Sequence, residues 1–156
     1  MNSSTSLLPI EKYREMLDLA PVCTVDVLFF NEDKSKTLLF RRTNNPLKGN
    51  YFSIGGRLLK NEKLEDGAVR QALKETGLHI KKAGLTFGGI QEELHPVSIF
   101  NGVSYHAVDI FYGYILTDEA VTLDTQHDDY RWFSISDETL HPFIESKIRS
   151  LLKTYG

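Results

Sequence analysis

The chain has 156 residues, of which 41% are hydrophobic and 25% are charged, and its formal net charge at neutral pH is −3. These values are ordinary for a soluble globular protein, so we expect one domain over residues 1–156. The negative charge argues against a protein that coats nucleic acid, although it allows a local basic pocket for a small anion. No stretch approaches the ~20 apolar residues of a membrane span and no signal peptide is evident. We therefore expect a cytoplasmic protein without a membrane or nucleic-acid partner.

The N-terminal part of the chain predicts a loose segment, a helix and a strand. Residues 1–8 are polar and rich in serine, and we expect them to be flexible. Apolar residues at helical spacing follow, in a short helix that opens at Pro9. The β-branched and aromatic stretch Val22–Phe30 predicts a strand in which the single cysteine, Cys23, is buried. Asp26 lies inside that strand, where its carboxylate must face solvent, find a partner or line a pocket.

Further strands and helices fill the rest of the chain. Leu64–Thr76 has an apolar helical face, and Gly77 is well placed to cap its C-terminal end. A second amphipathic helix is predicted at Pro142–Tyr155. The predicted strands cover residues 37–42, 51–54, 79–91, 103–116 and 130–135, with loops at 43–50, 92–102 and 118–128. Because strands and helices do not alternate strictly, the pattern predicts an α+β fold or a layered mixed sheet.

A spaced set of glycines and charged residues lies in and just before the first of these helices. An adjacent glycine pair comes first, and such a pair lets a ligand approach the main chain closely. The spaced residues are Gly56, Glu62, Arg70, Glu75 and Gly77. They resemble the signature of Nudix hydrolases, which is a glycine, five residues, a glutamate, seven residues and then Arg-Glu-x-x-Glu-Glu-x-Gly. The resemblance implies the Nudix fold, a mixed β-sheet sandwiched between α-helices.

Two positions depart from that signature. Gln71 and Lys74 stand where the family has metal-binding glutamates, so only Glu75 is left of three. Magnesium prefers oxygen ligands in octahedral geometry, and a cluster of two or three cations would be poorly neutralised here. We expect one cation with further donors from elsewhere in the chain. The alternative is a degenerate fold that binds a nucleotide without turning it over.

Two other peptides carry a more specific resemblance. The chain reads Arg-Arg-Thr-Asn at residues 41–44 and Gln-His-Asp-Asp-Tyr-Arg-Trp at residues 126–132. Together with the altered signature, they resemble the GDP-mannose mannosyl hydrolases, a Nudix branch that likewise breaks the glutamate cluster. The resemblance spans residues 21–140. It implies hydrolysis of GDP-mannose or a related GDP-hexose at the anomeric carbon, which releases GDP and free sugar with inversion.

The resemblance also assigns roles to individual residues. The leaving diphosphate needs charge neutralisation and the attacking water needs a base, for which a histidine is suited. The implied set comprises the Mg²⁺ ligands Gly55 (through its carbonyl), Glu75 and Gln126, the general base His127, the diphosphate-neutralising Arg42 and Arg57, and the sugar contact Asp26. Mn²⁺ is an expected substitute for Mg²⁺. Arg70 and Glu62 are expected to be structural residues that brace the turn before the helix.

The sugar-binding part departs from the branch. Where the branch carries a histidine that contacts the sugar, Glu93 is nearest in register and His95 is displaced by two residues. Glu93 is the first candidate for that contact and His95 the second, so the hexose stays open, as does the nucleobase. His106 lies on a strand that could enter the pocket or the core.

Other functions and simpler roles remain open at this stage. A conventional Nudix pyrophosphohydrolase would cleave a nucleoside diphosphate derivative at phosphorus. Arg42 could pair on the surface with Asp128 or Asp129, which would contribute little, and His127 could be a solvated loop residue. The related branch forms homodimers, and the apolar N- and C-terminal segments are candidate contacts for a homodimer.

Overall fold

The computed structural model describes residues 8–117 and 120–156. The expected flexibility of residues 1–8 therefore lies outside the described residues, except at Leu8, and so does part of the predicted acidic loop. The described helices are α1 (Ile10–Leu19), α2 (Leu64–Thr76) and α3 (Pro142–Tyr155), with a short 3-10 turn at Lys82–Gly84. The described strands are β1 (Val22–Phe30), β2 (Lys36–Arg42), β3 (Tyr51–Phe52), β4 (Ile54–Arg57), β5 (Thr86–His95), β6 (Tyr105–Ile115) and β7 (His127–Ser134). Within these ranges no helix is both long and apolar enough to cross a membrane.

The strands form one mixed sheet around β1. β1 and β6 run parallel along the whole of β1. The other strand pairs are antiparallel. The strands lie in the order β3-β2-β1-β6-β5, and in addition β4 pairs with the first half of β1 and β7 pairs with β2. Asp26 therefore lies in the middle of the sheet, opposite Gly55 of β4 on one side and Phe111 of β6 on the other.

Alternation along β1 divides the core into two layers. One layer packs against α2 and includes Val25, Val27, Phe29, Ala68 and Ala72. The other packs against α3 and includes Leu28, Phe30, Ile144, Ile148 and Leu151. Full burial of each large apolar side chain contributes about 1.5–3 kcal/mol. The sheet is thus sandwiched between two helices, which confirms the predicted α+β fold, and the even-numbered Asp26 lies on the face that α3 covers.

The predicted strand at residues 79–91 is displaced. β5 begins only at Thr86, because the apolar residues before it, such as Ile80, are buried in an irregular segment without strand pairing. It then continues to His95, which pairs with Tyr105 of β6. The predicted loop after this strand therefore begins too early, and Glu93 lies in a strand.

Two further predictions are wrong at the sheet's borders. The last strand begins at His127 and not at Tyr130, because its pairing with β2 continues as far as Arg42. Cys23 is exposed, although its apolar neighbours predicted burial. By alternation it shares the face of Val25, but it lies near the start of β1, where that face is open to solvent.

Candidate active site

A cavity of about 370 Å³ lies where α1, α2 and six of the strands meet. The predicted site residues that line it are Asp26, Arg42, Gly55, Arg57, Glu75, Glu93 and Gln126. They come from β1, β2, β4, α2, β5 and the segment before β7, so the fold gathers them from distant parts of the chain. His95 and Lys74 also line the cavity. The remaining predicted site residue, His127, lies behind this wall.

The glycine pair brings the main chain of β4 against two polar side chains. A Cβ atom at Gly55 would lie 2.0 Å from Oδ1 of Asp26, and one at Gly56 would lie 2.5 Å from Nε2 of Gln71. Any larger residue would displace these groups. The close approach lets the amide of Gly55 donate a hydrogen bond of 2.8 Å to Oε2 of Glu75, which ties β4 to α2. Gly55 and Gly56 lie within β4, whereas the sequence predicted a strand that ends just before them.

Glu62 and Arg70 brace the turn before α2, as the sequence predicted. Nε and Nη2 of Arg70 donate to the two carboxylate oxygens of Glu62 at 2.7 and 2.9 Å. Nη2 also donates to the carbonyl of Arg57 at 3.1 Å. Such paired hydrogen bonds fix geometry as well as charge. They hold the segment that follows the glycine pair and so position Arg57 at the cavity.

Glu75 is part of a compact cluster with Asp124 and His127. One ligand atom from each residue lies within 4.8 Å of the others. Nδ1 of His127 lies 2.9 Å from Oδ1 of Asp124, which also accepts a 3.2 Å hydrogen bond from the amide of Gln126. Asp124 is thus a candidate site residue that the sequence analysis missed. The available signal was a carboxylate three positions before the candidate histidine.

The electrostatics of this cluster favour a cation. The side chain of Glu75 is only 2% exposed. Burial first, and then the negative charges of Asp124 and Asp26, raise the pKa of Glu75 to about 8, against the opposing hydrogen bond from Gly55 and charge of Arg42. Two carboxylates this close repel each other unless a positive charge lies between them. The carboxylate oxygens of Glu75 and Asp124 therefore fit a hard divalent cation.

His127 lies in a different setting from the polar loop that the sequence predicted. It is the first residue of β7, opposite Arg42, and its side chain is 0% exposed. The ring packs edge-to-face on Phe40, with 6.0 Å between ring centroids. Within the described part of the chain, Nε2 has no hydrogen-bond partner and the residue does not border the cavity. Asp124 thus fixes one ring nitrogen and leaves the other without a partner.

Two basic residues, Arg42 and Arg57, line the cavity. Nε of Arg42 donates to the carbonyl of Pro46 at 2.8 Å, which holds the side chain at the cavity. The surface ion pair that was an alternative for Arg42 is formed instead by its neighbour Arg41, whose Nε lies 2.7 Å from Asp128. His106 lies beside Glu92 and, among the described residues, is not part of the cavity wall.

Comparison with known proteins identifies the family. A model of the NUDIX domain matches residues 21–155. The low-salt glycan biosynthesis protein Agl8 of Haloferax volcanii is 29% identical over 148 residues, which is 94% of this chain and 92% of that protein. An ADP-ribose pyrophosphatase of Methanocaldococcus jannaschii is 41% identical over 69 residues, 44% of this chain and 38% of that protein.

Solved structures share the fold. A MutT NUDIX hydrolase from Burkholderia pseudomallei aligns with a TM-score of 0.69 at 18% identity, over 85% of this chain and 98% of that one. The NUDIX domain of Shewanella oneidensis NrtR, solved with ADP ribose, aligns with a TM-score of 0.68 at 19% identity, over 96% and 100%. Both structures are under 25% identical to this chain, so the likeness shows a shared fold. The chain belongs to the NUDIX family and is a hydrolase.

Proposed function

We propose that this hydrolase cleaves a nucleotide sugar, GDP-mannose or a related GDP-hexose, at the anomeric carbon of the sugar. The observation that carries the proposal is a single cavity lined by the cations of Arg42 and Arg57 together with the carboxylates of Asp26 and Glu93. Arginine suits a diphosphate, whereas carboxylates accept hydrogen bonds from hydroxyl groups and repel phosphate. A substrate with both a diphosphate and a sugar satisfies both sets of groups.

The metal would be held at the Glu75 side of the cavity. We infer that Glu75, the carbonyl of Gly55 and the amide oxygen of Gln126 provide ligands for Mg²⁺ or Mn²⁺, with Asp124 as a further oxygen donor. NUDIX hydrolases use divalent metals, and when bound here the ion would neutralise charge on the diphosphate. Loss of two signature glutamates suits this role, because a departing diphosphate needs less metal charge than an activated water.

Arg42 and Arg57 would stabilise the same leaving group from the other side. The hydrogen bond from Arg42 to Pro46 fixes its guanidinium before substrate arrives. Because the folded protein already holds the guanidinium in place, its positive charge lies where negative charge develops in the transition state. As the bond from the sugar carbon to the diphosphate oxygen breaks, the electron pair leaves with GDP.

His127 would accept the proton of the attacking water. Asp124 holds Nδ1, the arrangement that orients a histidine base and stabilises the imidazolium it becomes. Nε2 is then the nitrogen left to take the proton. Since the ring is buried behind the cavity wall, this role requires the segment from Asp124 to His127 to shift when substrate binds.

A panel of nucleotide sugars tests the proposal. Purified protein is incubated with each compound and Mg²⁺ or Mn²⁺, and the products are identified by ion-exchange chromatography. We expect a nucleoside diphosphate and free hexose in equal amounts, with GDP-sugars as the preferred substrates. A nucleoside monophosphate and a sugar phosphate would contradict the proposed reaction.

A second function is favoured by one comparison. The Methanocaldococcus jannaschii relative that matches 69 residues is an ADP-ribose pyrophosphatase. A pyrophosphatase reaction would attack phosphorus, and the Glu75, Asp124 and His127 cluster would then help to hold the metal for that attack. The same panel separates the two reactions by their products. The single domain, cytoplasmic location and homodimer expected from the sequence stay predictions.

A further inference from the structure

A buried lysine of α3 lies behind the cavity and contacts three strands. Lys147 is 0% exposed. Its Nζ lies 3.0 Å from Oδ2 of Asp26 in β1, 2.9 Å from Oε2 of Glu93 in β5 and 2.9 Å from Oδ2 of Asp109 in β6. It also donates to Oγ of Ser53 at 3.3 Å. A lysine is almost never fully buried unless it is paired, so a single ammonium here organises a cluster of carboxylates.

The three carboxylates do not have the same access to the cavity. Asp26 and Glu93 line it, whereas Asp109 is fully buried and accepts a 2.6 Å hydrogen bond from Thr24. Although burial opposes it, the surrounding carboxylates raise the pKa of Lys147 well above its ordinary value. Burial and the charge of Asp26 raise the pKa of Asp109. All three carboxylates therefore share the ammonium, and Asp26 and Glu93 are the two of them that line the cavity.

The lysine occupies one oxygen of each of these two carboxylates. Oδ2 of Asp26 accepts hydrogen bonds from Lys147 and Ser53, whereas Oδ1 is the atom beside Gly55. Oε2 of Glu93 faces Lys147, whereas Oε1 lies 4.0 Å from Nε2 of His95. Because Oδ2 of Asp26 and Oε2 of Glu93 both lie within 3.0 Å of Nζ of Lys147, the two carboxylates are close neighbours. Each retains one oxygen outside the contacts of the lysine.

Two fixed, neighbouring carboxylates form an acceptor pair for hydroxyl groups. Charge-assisted hydrogen bonds of this kind are about twice as strong as neutral ones. Without a cation between them, the two negative charges would repel each other and separate. We propose that Lys147 is a positioning residue that holds Asp26 and Glu93 together as the hydroxyl-binding pair for the sugar of the substrate. This inference rests on the proposed function, because it takes the sugar to be part of the substrate.

Lys147→Arg keeps the charge but moves its position, and it is tested with matched ligands. Affinities for the GDP-sugar, for analogues that lack one sugar hydroxyl and for GDP alone are measured by calorimetry in EDTA, where the proposed metal-dependent hydrolysis does not consume the ligand. KM and kcat with Mg²⁺ follow for the same sugars. For the wild type, we expect removal of the bound hydroxyl to weaken affinity by about 10-fold or more. In Lys147→Arg, we expect affinity for the intact sugar to fall by about 10-fold, that for the analogue to stay nearly unchanged, and GDP affinity to change little.

Lys153→Arg, on an exposed position of the same helix, is the matched control and should leave every value unchanged. The ratio of the affinity for the intact sugar to that for the deoxy analogue is compared between the wild type and folded Lys147→Arg. Equal ratios in the two proteins would overturn the proposal. If Lys147→Arg does not fold, Glu93→Gln carries the test: it should lose the hydroxyl dependence, and retention of that dependence would overturn the proposal. Cleavage at phosphorus with the hydroxyl dependence intact would instead overturn the proposed reaction and leave the role of Lys147 standing.

Discussion

Glu75→Gln tests whether the buried carboxylate of α2 is prepared for a cation. Burial and the charge of Asp124 raise the pKa of Glu75 from 4.5 to about 8 in the protein without metal. Because the folded-state pKa is the higher one, the unfolded chain releases this proton first as the pH rises. The protonated group therefore stabilises the fold below pH 4.5, and this contribution is lost as the pH rises through 8. Glutamine carries no charge at any pH, so the variant does not show this loss.

The magnitude follows from the pKa. At 1.36 kcal/mol per pKa unit, the rise from 4.5 to about 8 corresponds to about 5 kcal/mol over the full range. Between pH 5 and pH 8, about 3 to 4 kcal/mol of this should appear as a difference between the two proteins. In EDTA, we expect the wild type and Glu75→Gln to have similar free energies of unfolding at pH 5. At pH 8, we expect Glu75→Gln to be the more stable of the two. Added Mg²⁺ should stabilise the wild type at pH 8 far more than the variant.

Urea denaturation provides the assay, with the fluorescence of the single tryptophan, Trp132, as the signal. Curves are measured from pH 5 to pH 8, with EDTA and with Mg²⁺. Glu65→Gln is the matched control, because Glu65 is an exposed carboxylate at the start of the same helix. A stability difference between wild type and Glu75→Gln that stays constant across this pH range would contradict the raised pKa of Glu75. An equal response of both proteins to Mg²⁺ would contradict the assignment of Glu75 as a ligand.

Three other substitutions test separate parts of the site. His127→Gln should lower kcat by about 10²- to 10⁴-fold with little change in KM, and steady-state kinetics with unchanged kcat would exclude it as the base. Gly55→Ala should destabilise the fold by about 1–3 kcal/mol in urea, because the added methyl group would lie 2.0 Å from the carboxylate of Asp26; a neutral result would contradict this close contact. Arg70→Lys keeps the charge but loses the paired hydrogen bonds to Glu62, so a lower melting temperature and a raised KM are expected. A melting temperature equal to that of the wild type would show that the brace contributes nothing.

The elements with a strong local pattern were predictable from the sequence. Val22–Phe30, Leu64–Thr76 and Pro142–Tyr155 have the predicted bounds, because each combines a clear hydrophobic period with a proline or glycine at an end. The NUDIX signature also predicted the brace between Glu62 and Arg70, since their spacing brings the turn back onto the first half of α2.

The parts set by distant contacts were not predictable. β5 extends to His95, beyond the predicted end at Gln91, because β6 offers it a partner as far as Tyr105. Lys147 falls beside Ile144 and Ile148 on the buried face of α3. Its partners lie in three different strands, so only the folded sheet brings them together. The topology of the sheet therefore decides what this buried charge contacts.

In the proposed mechanism, water attacks the sugar carbon. Hydrolysis of a GDP-hexose in ¹⁸O-labelled water, followed by mass spectrometry of both products, tests this step. The proposed mechanism predicts one labelled oxygen in the free hexose and an unlabelled GDP. Label in a phosphate group, with an unlabelled sugar product, would contradict it.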